Sequence, residues 1–212
     1  MRLNLVTAPA IEPVSTDEAK AFLRITGSTE DTFIDSLIVV ARTAAENYTR
    51  RAFIEQTYQL YMDTWPEGKG EQWWDGVKQL PISHLHGVRS FEMPKAPLSS
   101  ITHIKTYDDA DTATAFSSSN YYVSAYSGDF AEPGRVTLRD GQSWPTFERN
   151  ADGIEIQFVA GYGDTMASVP QQIRQGILQE VAYLYEHRMD CEDGLNCSVA
   201  RKILEPFRIM KL

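Results

Sequence analysis

The sequence predicts an α+β fold, with an N-terminal helical pair and a long helix in the C-terminal half packed with a small antiparallel β region, followed by an extended C-terminal tail. Three observations predict it. In two segments near the N-terminus and in one near residue 180, apolar residues recur every three or four positions, as in helices. In short runs between these segments, apolar residues alternate with other residues, as in strands. The C-terminal segment is both apolar and basic. The body is expected to span residues 1–190, and a linker and tail residues 191–212.

The two N-terminal helices are expected over residues 16–26 and 30–50. Ser15 and Glu18 have the spacing of a capping box, in which each side chain caps a free backbone amide of the first turn. Gly27 is the expected stop of this helix. The second helix has one apolar face, so Arg42 and Glu46 are expected to point outward.

The period changes after residue 55, and the β region is expected over residues 55–160. Alternating, aromatic-rich runs with few helix formers indicate strands, and stretches rich in glycine, proline and small polar residues separate them. The strands are expected at residues 56–63, 77–82, 101–107, 121–126, 135–138 and 154–160. Helical spacing then returns over residues 170–188, where Pro170 suits the first helical turn.

Composition and charge restrict the possible functions. With 212 residues, 42% hydrophobic and 23% charged, the chain has the composition of a globular protein, and neither a membrane helix nor a signal peptide is expected. The formal charge of -9 disfavours tight nucleic-acid binding by the surface as a whole. The last twelve residues hold four basic residues and one acidic residue, a net +3, which leaves -12 for residues 1–200. Cys191 and Cys197 match no redox or zinc spacing; free thiols in a reducing compartment are expected, and a local disulfide between them is the alternative.

The segment "EIQFVAGYGDTMASVP" has the layout of a phosphate-binding loop, because a strand, a glycine turn and a helix start follow one another. A P-loop needs a Gly-Lys-Ser/Thr sequence after the turn, and a dinucleotide fingerprint needs a third glycine where Met166 stands. Gly161 and Gly163 are therefore expected to form a structural turn, and no cofactor is expected.

Two further motifs leave alternatives open. His84 and His86 could supply two metal ligands if they lay on a strand, but no cysteine or carboxylate pattern nearby completes a coordination set, so loop histidines are favoured. Trp73 and Trp74, in a glycine-flanked loop, fit either a satellite core or a protein interface.

Several segments, taken in their order and spacing, form a familiar pattern. They are "VSTDEAKAFLRI", "DTFIDSLIVVARTAAENYTRRAFIEQTYQLYMD", "LP", "PLSSITHIKTYD", "YYV", "GRVTL", "WP", "FVAGYGD" and "VPQQIRQGILQEVAYLYEHR". The pattern resembles the head-tail connector, or adaptor, proteins of long-tailed bacteriophages and of the gene transfer agents related to them.

The resemblance implies a non-enzymatic virion protein, assembled in the bacterial host cytoplasm into a dodecameric ring beneath the portal vertex. The ring would join the DNA-filled head to the tail and extend the DNA channel. The implied partners are further copies of the chain, the portal protein, a stopper or tail terminator protein, and DNA that passes without sequence-specific binding; no membrane is implied. The alternatives are another neck component such as a stopper, or a small metal-dependent hydrolase that uses His84 and His86.

Two interfaces are expected. The three helices are expected to form the wall of the ring. The apolar, basic tail is expected to dock onto the portal with Phe207 as its anchor, as the C-terminal segments of related adaptors do, and its alternative is to fold back on its own subunit. The expected docking residues are Arg201, Lys202, Ile203, Leu204, Phe207, Arg208 and Ile209.

Overall fold

In the computed structural model, the structure describes residues 1–65, 73–74, 77–78, 89–187, 195 and 197–209. These residues form a helical layer beside antiparallel sheets of five, three and two strands, so the expected α+β class is confirmed. The helices are α1 (Thr16–Leu23), α2 (Asp31–Thr49), α3 (Gln171–Glu186) and α4 (Ser198–Leu204). No helix among the described residues is long and apolar enough to span a bilayer.

The strands pair only antiparallel. They are β1 (Arg2–Thr7), β2 (Gln56–Met62), β3 (Trp73–Trp74), β4 (Val77–Lys78), β5 (Ser90–Glu92), β6 (Leu98–Tyr107), β7 (Ala113–Phe116), β8 (Tyr121–Ser124), β9 (Arg135–Leu138) and β10 (Ile154–Ala160). A five-stranded sheet has the order β1-β2-β10-β6-β7, and a three-stranded sheet has the order β5-β9-β8. The strands β3 and β4 pair with each other.

The helix starts agree with the sequence, and the ends are shorter than expected. Ser15 and Glu18 form both hydrogen bonds of the capping box, as predicted. The helix α1 ends at Leu23 because Arg24 adopts a left-handed conformation with φ of 58°, so Gly27 lies beyond the end. The helix α2 starts one residue later than expected, with Glu30 as the N-cap residue and no side-chain cap. Pro170 directly precedes α3, at the N-cap.

The strand predictions are correct where alternation is strong. The predicted bounds of β9 and β10 are confirmed, β6 starts three residues earlier than expected, and β8 ends at Ser124. The predicted strand at 77–82 is described only at Val77–Lys78. The strands β1, β3, β5 and β7 were not expected from the sequence, which placed Trp73 and Trp74 in a loop; these strands are short or lie at sheet edges.

Two apolar cores hold the layers together. One lies among the helices and includes Ile34, Ile38, Ile173 and Ile177, all buried. The other lies against the five-stranded sheet, where the inward residues of the central strands β2 and β10 bury their side chains. Burial of large aliphatic side chains, about 1.5 to 3 kcal/mol each, is the main stabilising term in both cores.

The C-terminal segment differs from the expected extended tail. Residues 198–207 form α4 and a 3-10 turn (Glu205–Phe207), and Leu204 and Phe207 lie in the helical core. These side chains pack in their own subunit because the transfer of apolar surface from water into the core is favourable. Most of the linker expected at residues 191–198 lies outside the described residues.

Candidate functional site

The turn between β10 and α3 packs directly against the chain segment that follows α2. Gly161 and Gly163 have φ of 150° and 154°, a conformation that residues with a Cβ rarely adopt. The amide of Tyr162 donates to the carbonyl oxygen of Phe53 at 3.0 Å, and the amide of Glu55 donates to that of Gly163 at 2.9 Å. A Cβ on Gly161 would lie 2.5 Å from the amide nitrogen of Glu55. Backbone contacts with the segment after α2 therefore occupy the space around the turn, which is the geometry of a structural turn.

A buried ionic cluster lies beneath this turn and corrects the expectation for Arg42 and Glu46. Both side chains are buried, and Arg42 Nη1 donates to Glu46 Oε2 at 2.8 Å while its Nε donates to Glu12 Oε2 at 2.7 Å. Glu46 Oε1 accepts from the amide of Phe53 at 2.8 Å and from Gln56 Nε2 at 2.6 Å. Burial raises the pKa of Glu46, although Arg42 and these donors act to lower it. This pair connects α2 to the start of the sheet, so it cannot be a ring surface.

The C-terminal segment is attached to the body by Arg51. This guanidinium is buried, and it donates from Nε to the carbonyl oxygen of Phe207 at 2.6 Å and from Nη1 to that of Ala131 at 2.5 Å. The ring of Phe207 stacks on that of Phe130, with centroids 4.7 Å apart. The amide of Ile209 donates to the carbonyl oxygen of Thr49 at 3.0 Å. The segment is thus held by both backbone and side-chain contacts.

The seven expected docking residues therefore separate into three sets by their exposure. Leu204 and Phe207 are fully buried in their own subunit, so Phe207 is a core residue here and not a free anchor. Arg201, Lys202 and Arg208 are exposed, and Ile203 and Ile209 are half-buried. Ile203 also lines a cavity of about 510 Å³ with Gln171, Gln172 and Gln175 of α3. Docking onto a portal stays a prediction. In this conformation, only the exposed residues of the segment are free to contact a portal.

The tryptophan pair lies on a minimal hairpin. Trp73 pairs with Lys78 and Trp74 with Val77, while their side-chain environment lies outside what the structure describes. Another aromatic cluster is described, in which Trp65 and Trp144 stack with centroids 4.6 Å apart. An interface role for Trp73 and Trp74 stays a prediction.

The histidine pair His84 and His86 also lies outside the described residues. Within the described ranges, no group of three or more His, Cys, Asp or Glu side chains could hold a metal ion. A polar side-chain cluster on the sheet surrounds Glu155, which accepts from Tyr107 Oη at 2.6 Å and lies 2.7 Å from His103 Nε2. Burial acts to raise the pKa of Glu155, but hydrogen bonds with Tyr107, His103 and Gln59, together with the charge of Lys105, lower the pKa overall.

Known proteins share both sequence features and the fold of this chain. Residues 14–74 match the family model described as phage gp6-like head-tail connector protein. Three solved structures match 100% of this chain and 97% of their own: the neck of an empty GTA particle computed with C6 symmetry (22% identity, TM-score 0.76), the virion of a native gene transfer agent particle (22%, 0.74) and the neck of a native GTA particle computed with C12 symmetry (21%, 0.69). No curated protein matches the sequence.

The family model and the solved structures agree with each other where they overlap on this chain. The family model covers α1, α2 and β2, which include the capping box and the Arg42–Glu46 pair, and the solved structures share the complete fold. At 21–22% identity the likeness to the solved structures shows the fold. The resemblance to head-tail connector proteins is thereby confirmed.

Proposed function

We propose that this chain is a structural neck protein that assembles into a ring under the portal and joins the DNA-filled head to the tail. The observation that carries the proposal is the match of the whole chain to chains from GTA necks, one of them computed with C12 symmetry. The connector match of residues 14–74 supports the same function. The ring would extend the DNA channel and hold the neck components in register.

The overall charge suits a passage for DNA. Binding of the DNA backbone depends on Lys and Arg side chains that neutralise phosphates and release counterions. A chain with a formal charge of -9 offers few such contacts over most of its surface, so DNA could slide past a ring of these subunits without being held.

The exposed cations of the C-terminal segment are the proposed contact with the portal. Lys202 and Arg208 are exposed while the rest of the chain is acidic, so they could pair with carboxylates of a portal. The test neutralises both residues as Lys202→Gln and Arg208→Gln and measures portal binding and the melting temperature. The matched control neutralises two arginines of the β region, the exposed Arg135 and the half-buried Arg149. Lost binding for the first pair alone supports the contact, and equal binding for both pairs contradicts it.

The ring itself is tested in particles. A strain without the gene is complemented with the tagged chain, and the neck is reconstructed by electron microscopy. Density for the chain in a ring directly under the portal supports the adaptor function. A ring separated from the portal by another protein would indicate a stopper-like position instead. Filled heads that join tails normally without the chain would contradict the proposal.

A further inference from the structure

A cleft of about 370 Å³ lies between the start of β1 and the end of α2. The described residues that line it are Met1, Leu3, Asn47, Arg50, Pro94 and Lys95. Arg50 is the residue at which α2 ends, and Lys95 lies in the segment between β5 and β6. Two of these side chains are cations and none is a carboxylate, although the chain as a whole has a formal charge of -9. We call this site the basic cleft.

The two cations of the basic cleft have no carboxylate partner among the described residues. Arg50 has one hydrogen bond there, from Nη1 to the carbonyl oxygen of Ile209, and its length of 3.4 Å is long for such a bond. Lys95 Nζ lies 5.9 Å from the ring centroid of Tyr58 and has no hydrogen bond or ion pair within the described part of the chain. A guanidinium has five N–H donors and an ammonium has three, so most of these donors lack a protein acceptor there.

Many other basic side chains of this protein already contact a carboxylate. The pairs are Arg2 with Asp152, Lys20 with Asp31, Arg42 with Glu12 and Glu46, Arg89 with Asp140, Arg135 with Glu92 and Arg174 with Glu18. The chain has 29 acidic residues for 20 basic ones, so carboxylates are not scarce. Two cations without a carboxylate in one cleft are therefore unusual for this protein.

Glu46 does not act as the missing partner. Burial lowers the pKa of the half-buried Lys95, and the charge of Glu46 acts against this lowering without a direct contact. The carboxylate oxygens of Glu46 are already held by Arg42, by the amide of Phe53 and by Gln56. Lys95 is thus partly desolvated without a contacting counterion, and a carboxylate that entered the cleft would offset this cost.

The rest of the basic cleft suits an extended peptide. Met1, Leu3 and Pro94 supply apolar side chains beside the cations. Leu3 belongs to β1, the edge strand of the five-stranded sheet, and no described strand pairs with the other side of β1. A free strand edge offers N–H and C=O groups to which an added peptide strand can hydrogen-bond.

We propose that the basic cleft binds an acidic segment of another protein. Arg50 and Lys95 hold an Asp or Glu carboxylate of this segment, and an apolar side chain next to that carboxylate packs against Leu3 and Pro94. The exposed amide of Asn47 supplies a further donor. The inference goes beyond the proposed function, because the unpaired charges of the cleft carry it and the likeness to neck proteins does not.

Other ligands fit the basic cleft less well. Nucleic acid needs a row of cations to neutralise successive phosphates, and the described residues of this cleft offer two side-chain cations within an acidic chain. A basic segment would be repelled by both cations. A purely apolar segment would leave Arg50 and Lys95 without acceptors and would bury them further.

The test titrates the full chain into labelled peptides that differ only in the proposed contacts. Fluorescein-labelled Gly-Leu-Glu-Leu-Gly and its aspartate equivalent are compared by fluorescence anisotropy with Gly-Leu-Gln-Leu-Gly and with a single-stranded oligonucleotide. Arg50→Gln and Lys95→Gln each remove one cation. Arg24→Gln is the matched control, because exposed Arg24 ends α1 in the same left-handed conformation, with φ of 58° against 60° for Arg50. Melting temperatures and mass photometry show whether each variant keeps its fold and its oligomeric mass.

The expected result is saturable binding of an acidic peptide below about 1 mM. Arg50→Gln and Lys95→Gln should each weaken it by about tenfold or more at an unchanged melting temperature, whereas Arg24→Gln should leave it unchanged. The glutamine peptide should bind the unmodified chain at least about tenfold more weakly than the glutamate peptide, because it lacks the charge.

Three outcomes would overturn the inference. The first is that neither acidic peptide saturates, or that both bind the cleft variants and the unmodified chain equally. The second is oligonucleotide binding that both cleft variants abolish while the peptides do not bind, since this would assign the cleft to phosphate. The third is a change of oligomeric mass in both cleft variants without peptide binding, since the carboxylate would then come from a second copy. Each outcome leaves the proposed function to be decided separately by the neck reconstruction.

Discussion

Replacing Gly161 with alanine tests the turn on which the two layers meet. The new Cβ would lie 2.5 Å from the amide nitrogen and 2.6 Å from the Cα of Glu55, and 2.6 Å from the carbonyl carbon of Ile54. All three atoms are backbone atoms, so no side chain can rotate away to make room. The φ of 150° adds strain for any residue with a Cβ.

The magnitude follows from what must move. Strain at an unfavourable φ costs about 1 to 3 kcal/mol. Separating the turn from the segment after α2 also weakens two hydrogen bonds, from Tyr162 to Phe53 and from Glu55 to Gly163, at about 1 kcal/mol each. Gly161→Ala is therefore expected to lower the free energy of unfolding by about 3 to 5 kcal/mol, a large part of the stability of an ordinary domain.

Urea unfolding followed by tryptophan fluorescence measures this loss, and two other glycines calibrate it. Gly141 also has a positive φ, of 77°, but a Cβ there would have no atom within 4 Å, so Gly141→Ala is expected to cost about 1 kcal/mol. Gly163→Ala should fall between the two, because its Cβ would meet only the side chain of Ser168, at 2.6 Å from Oγ. Equal costs for Gly161→Ala and Gly141→Ala would refute the reasoning. Micromolar ATP or GTP binding that Gly161→Ala abolishes would restore the phosphate-loop interpretation.

Three further predictions concern the buried ion pair, the C-terminal segment and the capping box. Glu46→Ala is expected to destabilise the fold by about 3 to 5 kcal/mol, because it leaves the buried guanidinium of Arg42 with one carboxylate fewer, and urea unfolding measures the loss. Phe207→Ala should cost about 3 to 5 kcal/mol in the same assay, because the ring is buried in its own subunit. For Glu18, the hydrogen bond from the backbone of Ser15 holds the pKa of its carboxyl below its ordinary value of 4.5. The stabilisation by the Glu18 carboxylate is therefore fully present above that value and lost as the pH falls through the lowered pKa. Glu18→Gln should flatten the acid side of the stability curve below the ordinary pKa of 4.5.

Matched control substitutions show whether these losses of stability are specific to the three residues. Glu132→Ala removes an exposed carboxylate and should leave stability within about 0.5 kcal/mol of the unmodified chain. Val199→Ala is the control for Phe207→Ala, and a similar small loss for both would show that the C-terminal segment does not contribute to the core. Asp17→Asn, an exposed residue in the same helical turn, should leave the acid limb unchanged, and an identical flattening by both variants would contradict the role assigned to Glu18.

Local patterns account for the parts of the fold that the sequence predicted well. The capping box of Ser15 and Glu18 forms as expected, because both of its hydrogen bonds lie within one helical turn. The bounds of β9 and β10 were predicted correctly, because alternation marks a strand with one buried side. The missing lysine and third glycine around Gly161 likewise argued against a phosphate site from residue types alone.

The features that the sequence did not predict depend on contacts between residues far apart in the chain. The strand β1 pairs with β2 more than 50 residues away, and its exposed side chains show no alternation. Arg42 and Glu46 look like surface charges on a helical wheel, and only the contacts with Glu12, Phe53 and Gln56 show that they are buried.

By itself the sequence determined the α+β class, the helix starts, the central strands and the resemblance to connector proteins, because these depend on neighbours in the chain or on the order of segments. Only the tertiary structure decided the strand order β1-β2-β10-β6-β7 and the burial of Phe207. Phe207 illustrates the physical reason. An apolar side chain in a basic C-terminal segment can pack in its own core or in a partner, and the choice depends on whether the fold leaves a dry site for it, here formed beside Phe130 and beneath Arg51.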